Sequence, residues 1–437
     1  MTVLTAEHPV LEMIYKSGFS AYLHGYGAID AWLYSKESAV RAVNNHFIFT
    51  NADTADLAKM FENLRFPGVN LADAALDTCS VSSEHRTQSE QRTQLEKRGE
   101  NHTWYFRCAS CSAPPFSLTE PFKENFLSFP LLEFYRDCKS HVFYDPRGIY
   151  PLLREIRFNI KTGKEQAGLK EYLVKNLYSD CDRIRAMTDT ALILAKYVPP
   201  VETKDADTER FTNEMAALLF DLHGSYSPCV EEQRVFLSGL MVSPNPGLGM
   251  EMLRTCGYIK RFWPELAALE EADHSKEFHP EGNAWQHTME TFRHRKSGAF
   301  FSDVSGALTL SLGLLLHDLG KPVSASTVNH RYEGHAELGE IHARRFLERL
   351  GFNPLLIKDV CFLVRNHMLP AALPRLPLYR TSQIMSSPLF PLLMELYRCD
   401  ESSSFKGLHS YYESSAKYQQ FLRNQRNPYR RQSLLKQ

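Results

Sequence analysis

The sequence predicts an α+β protein in which a small mixed sheet precedes a chain that is mostly helical. Three observations support this class. Short strand-like segments separated by turn residues occupy the first 150 residues, including Asn45–Thr50. Spaced apolar positions recur through residues 151–273, as in Ile184–Leu194. From residue 274 onwards, metal-ligand types of side chain repeatedly end apolar, helix-compatible runs.

Length and composition limit the possible classes of protein. A chain of 437 residues is too long for one core and predicts two or three domains. A hydrophobic content of 43% and a charged content of 23% are typical of soluble globular proteins. The formal net charge of −1 means that any nucleic-acid surface must be local. The most apolar run, Ala307–Leu316, is too short for a membrane span of about 20 residues.

We therefore expect a cytoplasmic protein without a membrane segment or signal peptide, whose nine cysteines are reduced thiols. Four zones are predicted: residues 1–150, 151–273, 274–408 and a basic helical tail, 409–437. The first zone should contain two helices and four strand-like segments: Asp30–Leu33, Thr54–Asn63, Phe19–His24, Asn45–Thr50, Phe126–Phe129 and Ser140–Tyr144. The polar segment between Ser80 and Pro115 is expected to be a solvated loop or a mobile helix.

His317 and Asp318 are the most informative pair of residues. They follow the apolar run Leu314–Leu316, and burying both would be costly unless their polar atoms were satisfied. A divalent metal satisfies them, because neutral imidazole nitrogen and carboxylate oxygen suit Zn, Mn, Fe or Ni. Adjacent helical residues project about 100° apart, so other segments must complete the ligand shell. Four further side chains have the required type and position: His287, His335, His367 and Asp400.

A lone histidine on an apolar face is more often a hydrogen-bonded core residue than a ligand, but the joint pattern is far more specific. The ordered series, within Pro280–Gly407, resembles the HD superfamily of metal-dependent phosphohydrolases. The resemblance implies an all-helical domain holding one or two divalent ions (Mn, Ni, Mg, Fe or Zn). His287, His317, Asp318 and Asp400 would be the ligands, with His335 and His367 completing a second metal or binding phosphate.

The order of the zones resembles the bacterial (class II) tRNA nucleotidyltransferase and poly(A) polymerase family that carries a C-terminal HD domain. Pro246-Gly247-Leu248 and Trp263-Pro264-Glu265-Leu266 resemble the family's helical neck, and Trp285–Thr288 resembles the start of its HD domain. The resemblance implies a nucleotidyltransferase-like head, with residual nucleotide-binding positions at Gly25, Gly27, Asp30, Asp180 and Arg183. The last two could equally form a plain surface ion pair.

The head departs from the family where the chemistry is most demanding. Nucleotidyl transfer needs two carboxylates on the same side of one strand to hold divalent metals. Asn45 and Phe47 stand at those positions, and neither supplies the required charge. Tyr26 replaces a glycine and would crowd phosphates. We expect a head that has lost its catalytic metal site, unless Asp53 and Asp56 replace the pair in a shifted register.

The leading functional expectation is a metal-dependent phosphohydrolase acting on a phosphomonoester or 2′,3′-cyclic phosphodiester of nucleotides or RNA 3′ ends. His317, Asp318 and Lys321 would be catalytic, with Lys321 neutralising phosphoryl oxygens. The first alternative is an active CCA-adding or poly(A)-adding tRNA nucleotidyltransferase. The second is a non-catalytic RNA-binding protein whose head and neck hold tRNA-like shapes. The tyrosines and six basic residues of the tail could also suit RNA, but a basic amphipathic surface helix accounts for them better. The expected partners are nucleotides and RNA 3′ ends, tRNA among them.

Overall fold

The computed structural model describes residues 8–34, 45–67, 72–80, 100–108, 134–145, 180–197, 226–273, 282–295, 304–324, 332–403 and 407–426, with isolated residues between 150 and 217. These residues form two compact units, one ending at Tyr258 and the other beginning at Ile259. In the described part of the chain, no helix has the length and apolarity that crossing a membrane requires. The predicted α+β class is confirmed, whereas the four zone boundaries remain predictions.

The first unit contains a six-stranded mixed sheet with the strand order β3-β4-β2-β1-β5-β6. Only β2 and β4 pair in parallel among these described strands. The strands are Ala21–His24 (β1), Asn45–Thr50 (β2), Ala74–Ser80 (β3), Glu100–Cys108 (β4), Tyr135–Asp137 (β5) and Phe143–Tyr144 (β6). The sequence predicted β2 with the correct bounds, but β1 and β6 are shorter than predicted. The predicted strand Phe126–Phe129 and most of the polar segment after Ser80 lie outside the described residues. Within that segment Glu100–Cys108 forms β4, so the prediction of a loop or mobile helix is wrong there.

Three helices accompany the sheet: Pro9–Lys16 (α1), Tyr26–Tyr34 (α2) and Thr54–Met60 (α3). Pro9 suits the first turn of α1, because a helix leaves the first backbone amides unpaired. Helix α1 buries Leu11 and Ile14, and His8 at its N-cap contacts the ring of Trp104 on β4. Because side chains alternate along a strand, Asn45 and Phe47 lie on the opposite face of β2 from His46.

Three longer helices complete the first unit: Asp180–Tyr197 (α4), Val230–Met241 (α5) and Pro246–Thr255 (α6). Helix α4 packs against α5 and α6. The closest approach is at Gly249 of α6, where an added Cβ would lie 2.7 Å from the backbone oxygen of Ala191. A side chain there would force the helices apart. Cys229 and Glu232 form a capping box that fixes the start of α5.

The second unit is helical throughout its described residues. Its helices are Tyr258–Phe262 (α7, which spans the division), Pro264–Ala267 (α8), Ala284–Arg293 (α9), Val304–Leu316 (α10), His335–Arg349 (α11), Pro354–Asn366 (α12), Leu369–Ala372 (α13), Leu378–Met385 (α14), Phe390–Ser403 (α15) and His409–Arg426 (α16). Helix α10 packs against α9, α12 and α15. It is apolar on all sides, which is typical of a helix enclosed by others.

Candidate metal centre

The turn after α10 brings His317 and Asp318 into the interior of the second unit. Both are almost fully buried, with 1% and 2% of their surface exposed. Gly320 permits the start of α11 to approach this turn, because an added Cβ would overlap the carbonyl oxygen of His335 and the amide nitrogen of Gly339. The glycine therefore allows His335 to lie beside Asp318, with 3.8 Å between Nε2 and Oδ1.

The structure brings all six predicted metal-ligand side chains together. They form two trios, and within each trio the potential ligand atoms lie within 4.8 Å of one another. His287 on α9, His317 after α10 and Asp400 on α15 form the first trio; Asp318, His335 at the start of α11 and His367 at the end of α12 form the second. Five helices thus contribute ligand-type side chains. His317 and Asp318, which are adjacent in the chain, link the two trios. Among the described residues, these are the only groups with such geometry.

Backbone hydrogen bonds fix the protonation pattern of three imidazoles. The Nδ1 atoms of His317, His335 and His367 lie 2.8, 2.6 and 2.7 Å from carbonyl oxygens three residues earlier. A carbonyl only accepts a hydrogen bond, so each Nδ1 carries a proton, and in the neutral ring Nε2 has a lone pair. The Nε2 atoms of His335 and His367 lie 3.0 Å apart. The Nε2 atom of His317 is buried without a hydrogen-bond partner.

The same argument applies to His287. The Ser403 hydroxyl donates to the backbone oxygen of Asp400 at 2.6 Å and therefore accepts from His287 Nδ1 at 3.2 Å. This directs the lone pair of His287 Nε2 towards Asp400 Oδ1, 2.9 Å away. A lone pair facing a carboxylate is repulsive unless a proton or a cation lies between them. The bonds that orient these rings are those that orient metal-ligating histidines.

The charges of the centre also suit a cation. Burial alone would raise the pKa of Asp318, but His317 and Lys321 outweigh it and hold that pKa well below its ordinary value. Asp400 behaves similarly, because burial alone would raise its pKa but the neighbouring His287 ring lowers it. Burial lowers the pKa of His367 to about 4, with His317 adding to the effect. At neutral pH the centre therefore offers ionised carboxylates and a neutral His367 ring, the forms that bind metals.

Lys321 lies beside one of the predicted metal ligands, and its catalytic role stays a prediction. Its Nζ atom is 2.6 Å from Asp318 Oδ2, so it neutralises one oxygen of a predicted ligand. The nitrogen and oxygen donors of the two trios fit one or two divalent ions. The buried Nε2 atom of His317 is the observation that favours this fit most directly, because an unsatisfied buried polar atom is costly.

The residual nucleotide-binding positions lie in the first unit. Gly25 has φ +63° and ends β1, whereas Gly27 and Asp30 lie within α2. Asp180 begins α4, and Arg183 lies one turn later. Their nucleotide-binding role stays a prediction.

Tyr26, between the two glycines, donates a hydrogen bond to the backbone oxygen and to Oδ1 of Asp189, each at 3.1 Å. The side chain that was predicted to crowd phosphates thus connects α2 to α4. Asp189 was not anticipated, although an acidic residue in the apolar part of α4 was a signal that could have found it.

The position expected to carry a catalytic carboxylate is a packing position. The ring of Phe47 stacks on Tyr105 with centroids 5.1 Å apart, and Val235 of α5 packs against the same buried cluster. The Tyr105 hydroxyl donates to Glu231 of α5 at 3.0 Å. Glu231 also forms an ion pair with Arg65 at 2.5 Å. Helix α5 therefore covers this part of the sheet, and the described head residues provide no trio of close metal ligands.

Asp53 and Asp56, the carboxylates that would replace the missing pair in a shifted register, follow the carboxyl end of β2. Asp53 caps α3 by accepting a hydrogen bond from the amide of Asp56 at 2.7 Å. Burial raises the pKa of Cys108, the last residue of β4, to about 12, and Asp73, Asp53 and Asp56 contribute to the shift. The backbone amide of Cys108 also donates a hydrogen bond to Asp73 Oδ2 at 2.8 Å, so Asp73 lies at the end of β4.

Comparison with known proteins identifies the relatives of the chain. The family model for the HD domain matches residues 300–390, which include four of the predicted ligands. The chain is 37% identical over 131 residues to a "Multifunctional CCA protein" of Halorhodospira halophila, covering 30% of each chain. It is 30% identical over 156 residues to a "CC-adding tRNA nucleotidyltransferase" of Thermus thermophilus, covering 35% of each.

About a third of the chain is thus similar to proteins named for CCA or CC addition, and residues 300–390 match the HD domain. A "Multifunctional CCA protein" of Alkalilimnicola ehrlichii gives a similar match, with 30% identity over 164 residues, 37% of this chain and 36% of the relative. Each alignment thus spans about a third of the relative's length.

The expectation that this protein is mainly a phosphohydrolase is wrong. Its relatives are named for CC addition or as CCA proteins, which favours the transferase alternative. The error has a physical basis. A set of imidazoles and carboxylates indicates that a cation can bind, but the same ligands serve many reactions and also purely structural sites.

Proposed function

We propose that this protein is a nucleotidyltransferase that acts on the 3′ end of tRNA. In this reaction the terminal ribose hydroxyl attacks the α-phosphorus of CTP or ATP. A phosphodiester bond forms, and pyrophosphate leaves. The observation that carries the proposal is the similarity to proteins named for CCA or CC addition. The mixed sheet followed by helices supports it, because this is the order of zones in that family.

Asn45 and Phe47 cannot supply the carboxylates for this reaction, so we assign that role to Asp53 and Asp56. Both lie near the carboxyl end of β2, beside the parallel partner strand β4. Sites in sheets with parallel strands form at such ends. The described head residues do not bring three ligands close enough to hold a metal, so we derive no step through a metal there.

The test uses the full chain, a tRNA transcript that lacks its terminal CCA, labelled CTP or ATP, and Mg²⁺. We expect 3′ extension that is resolved by gel electrophoresis. The double variant Asp53→Asn/Asp56→Asn should lose at least about a hundredfold in rate, because asparagine lacks the charge that these reactions require. Asparagine still caps a helix, so α3 should remain folded.

Glu62→Gln is the matched control, because it removes an exposed carboxylate just after α3. Its rate should equal that of the wild type. No extension by the wild-type protein with any of several tRNA transcripts would refute the proposal. Equal rates for the double variant and the control would refute only the assignment of Asp53 and Asp56.

Binding of RNA without nucleotidyl transfer is the second candidate function. The packing of Phe47 beneath α5 favours it, because that position carries no metal-binding charge. This candidate predicts salt-dependent affinity for tRNA in the absence of any 3′ extension. Measuring both quantities on the same preparation separates the two functions.

We further propose that the two trios of the second unit hold one or two divalent ions. The convergence of four imidazoles and two carboxylates, with the ligand atoms of each trio within 4.8 Å of one another, supports this assignment. When bound, such ions would compensate the negative charge of Asp318 and Asp400 and fix the ends of five helices. The chain's own residues orient the ligands through the carbonyl oxygens of Leu314, Tyr332 and Val364.

A further inference from the structure

A surface with positive charge and an exposed aromatic ring lies at α14 of the second unit. The segment from Leu373 to Leu389 contains two charged residues, Arg375 and Arg380, and no acidic residue. Both arginines are exposed, one in the short 3-10 turn before α14 and the other in its first turn. Neither takes part in the metal centre.

The ring of Tyr379 stands beside these charges. It is 61% exposed, which is high for a large aromatic residue. The Arg380 guanidinium lies 5.7 Å from the centroid of the tyrosine ring, and Arg380 Nε donates to the tyrosine hydroxyl at 3.1 Å. Thr381 and Met385, one turn apart, are buried and anchor the other side of α14. The outward position of Tyr379 and Arg380 is therefore fixed by the packing of the helix.

Helix α16 supports the end of α14. Gln425 of α16 donates a hydrogen bond to the Ser386 hydroxyl at the end of α14, at 3.1 Å. Ser414, Tyr418 and Phe421 form the buried face of α16, as their helical spacing and burial indicate. This contact holds the end of α14 and leaves Tyr379 and Arg380 in its first turn exposed.

The chemistry of this surface matches RNA better than an apolar partner. Arginine offers a planar fork of donors that pairs with phosphate oxygens, and an exposed tyrosine ring stacks with any base. A single exposed tyrosine needs no explanation. Here the ring is combined with guanidinium groups, on a segment without carboxylates, in a chain whose net charge is −1. A local concentration of positive charge is what phosphate recognition requires in such a chain.

We propose that the surface formed by Arg375, Tyr379 and Arg380 binds the phosphate backbone of RNA, with a base stacked on Tyr379. The proposal deepens the proposed function, because it assigns a surface for the RNA substrate. Its test, however, measures binding and does not depend on nucleotidyl transfer.

The experiment measures the affinity of the full chain for a fluorescein-labelled tRNA transcript at several KCl concentrations. In the double variant Arg375→Ala/Arg380→Ala, we expect about tenfold weaker binding in low salt. The slope of log affinity against log salt should fall by about 1 to 2, because each phosphate contact contributes about 0.7 to 0.9. Tyr379→Ala should weaken binding about tenfold and leave the slope unchanged, since stacking involves no counterion release.

Arg345→Ala/Lys358→Ala is the matched control. It removes the same charge from exposed positions on α11 and α12. This control should keep the wild-type affinity and slope, and circular dichroism should show that all variants remain folded. Equal slopes for the two double variants would overturn the proposal, as would tRNA binding by the wild type that does not depend on salt. Loss of 3′ extension with intact tRNA binding would count against the proposed function alone.

Discussion

The metal centre of the second unit and strand β2 of the first unit both occupy positions where the sequence resemblance implied metal ligands, but they differ in what surrounds the side chains. In the centre, six ligand-type residues converge, and hydrogen bonds turn their free atoms towards one another. On β2, Phe47 packs on Tyr105 beneath α5. The comparison teaches that a metal site is recognised by oriented ligand atoms as well as by residue type. Order along the chain is insufficient.

The largest expected effect concerns the metal centre. Asp318→Asn should lower the content of bound divalent metal by at least about tenfold, because it removes the charge of a ligand that lies beside both trios. Mutating residues that only support metal ligands already lowers metal affinity about 10- to 100-fold. Mass spectrometry of the purified protein after dialysis measures this content. His342→Ala, on α11 but outside the trios, is the control. Equal metal content in both variants would show that Asp318 does not hold a metal, and the contrast with β2 would then disappear.

A second prediction tests the packing position on β2. Phe47→Asp should destabilise the first unit by about 2 to 4 kcal/mol, because the carboxylate would enter an apolar cluster without a partner. Phe47→Leu should cost about 1 kcal/mol. Urea unfolding of the full chain, followed by circular dichroism, measures both changes. A fully stable Asn45→Asp/Phe47→Asp variant with increased nucleotide incorporation would show instead that β2 can accommodate a metal site.

The third prediction concerns pH, and its effect is spread over several pH units. Burial raises the pKa of Asp189 to about 8, although the hydrogen bond from Tyr26 opposes the shift. The folded pKa lies above the unfolded value, so the protonated carboxyl contributes stability that is complete below about pH 4 and is lost as the pH rises to about 8. The slope is at most about 1.4 kcal/mol per pH unit.

Urea unfolding at pH 5, 6, 7 and 8 measures this dependence. Asp189→Asn should remove it, because the amide does not titrate. Glu251→Gln, a partly exposed carboxyl on α6, should leave the slope unchanged. Identical slopes for Asp189→Asn and the wild type would mean that Asp189 is not the responsible group.

Much of this arrangement was predictable from the sequence because local patterns determine it. The bounds of β2 follow from its alternating residues, and the six ligand-type residues were found from their positions at the ends of apolar runs. The role of Ser403 was accessible in principle, since it lies one turn after Asp400 on the same helix. The tie between Tyr26 and Asp189 depends on residues far apart in the chain, and no local pattern specifies it.

The contact of α5 with the cluster around Phe47 is also not predictable from a local sequence pattern. Val235 and Glu231 reach the sheet through tertiary packing, which only the folded chain defines. The functional error arose at a different level. The ligand pattern was read correctly as a cluster, but a cluster does not define the reaction that takes place in the protein.

Gly320 has a consequence for how this centre can change. Main-chain atoms of the turn after α10 touch those at the start of α11, with no room for a side chain between them. The separation between the two halves of the centre is therefore set by backbone contact. Replacing individual imidazoles or acids can alter which ion is preferred, but the distance between neighbouring ions would stay constant as long as this residue remains a glycine.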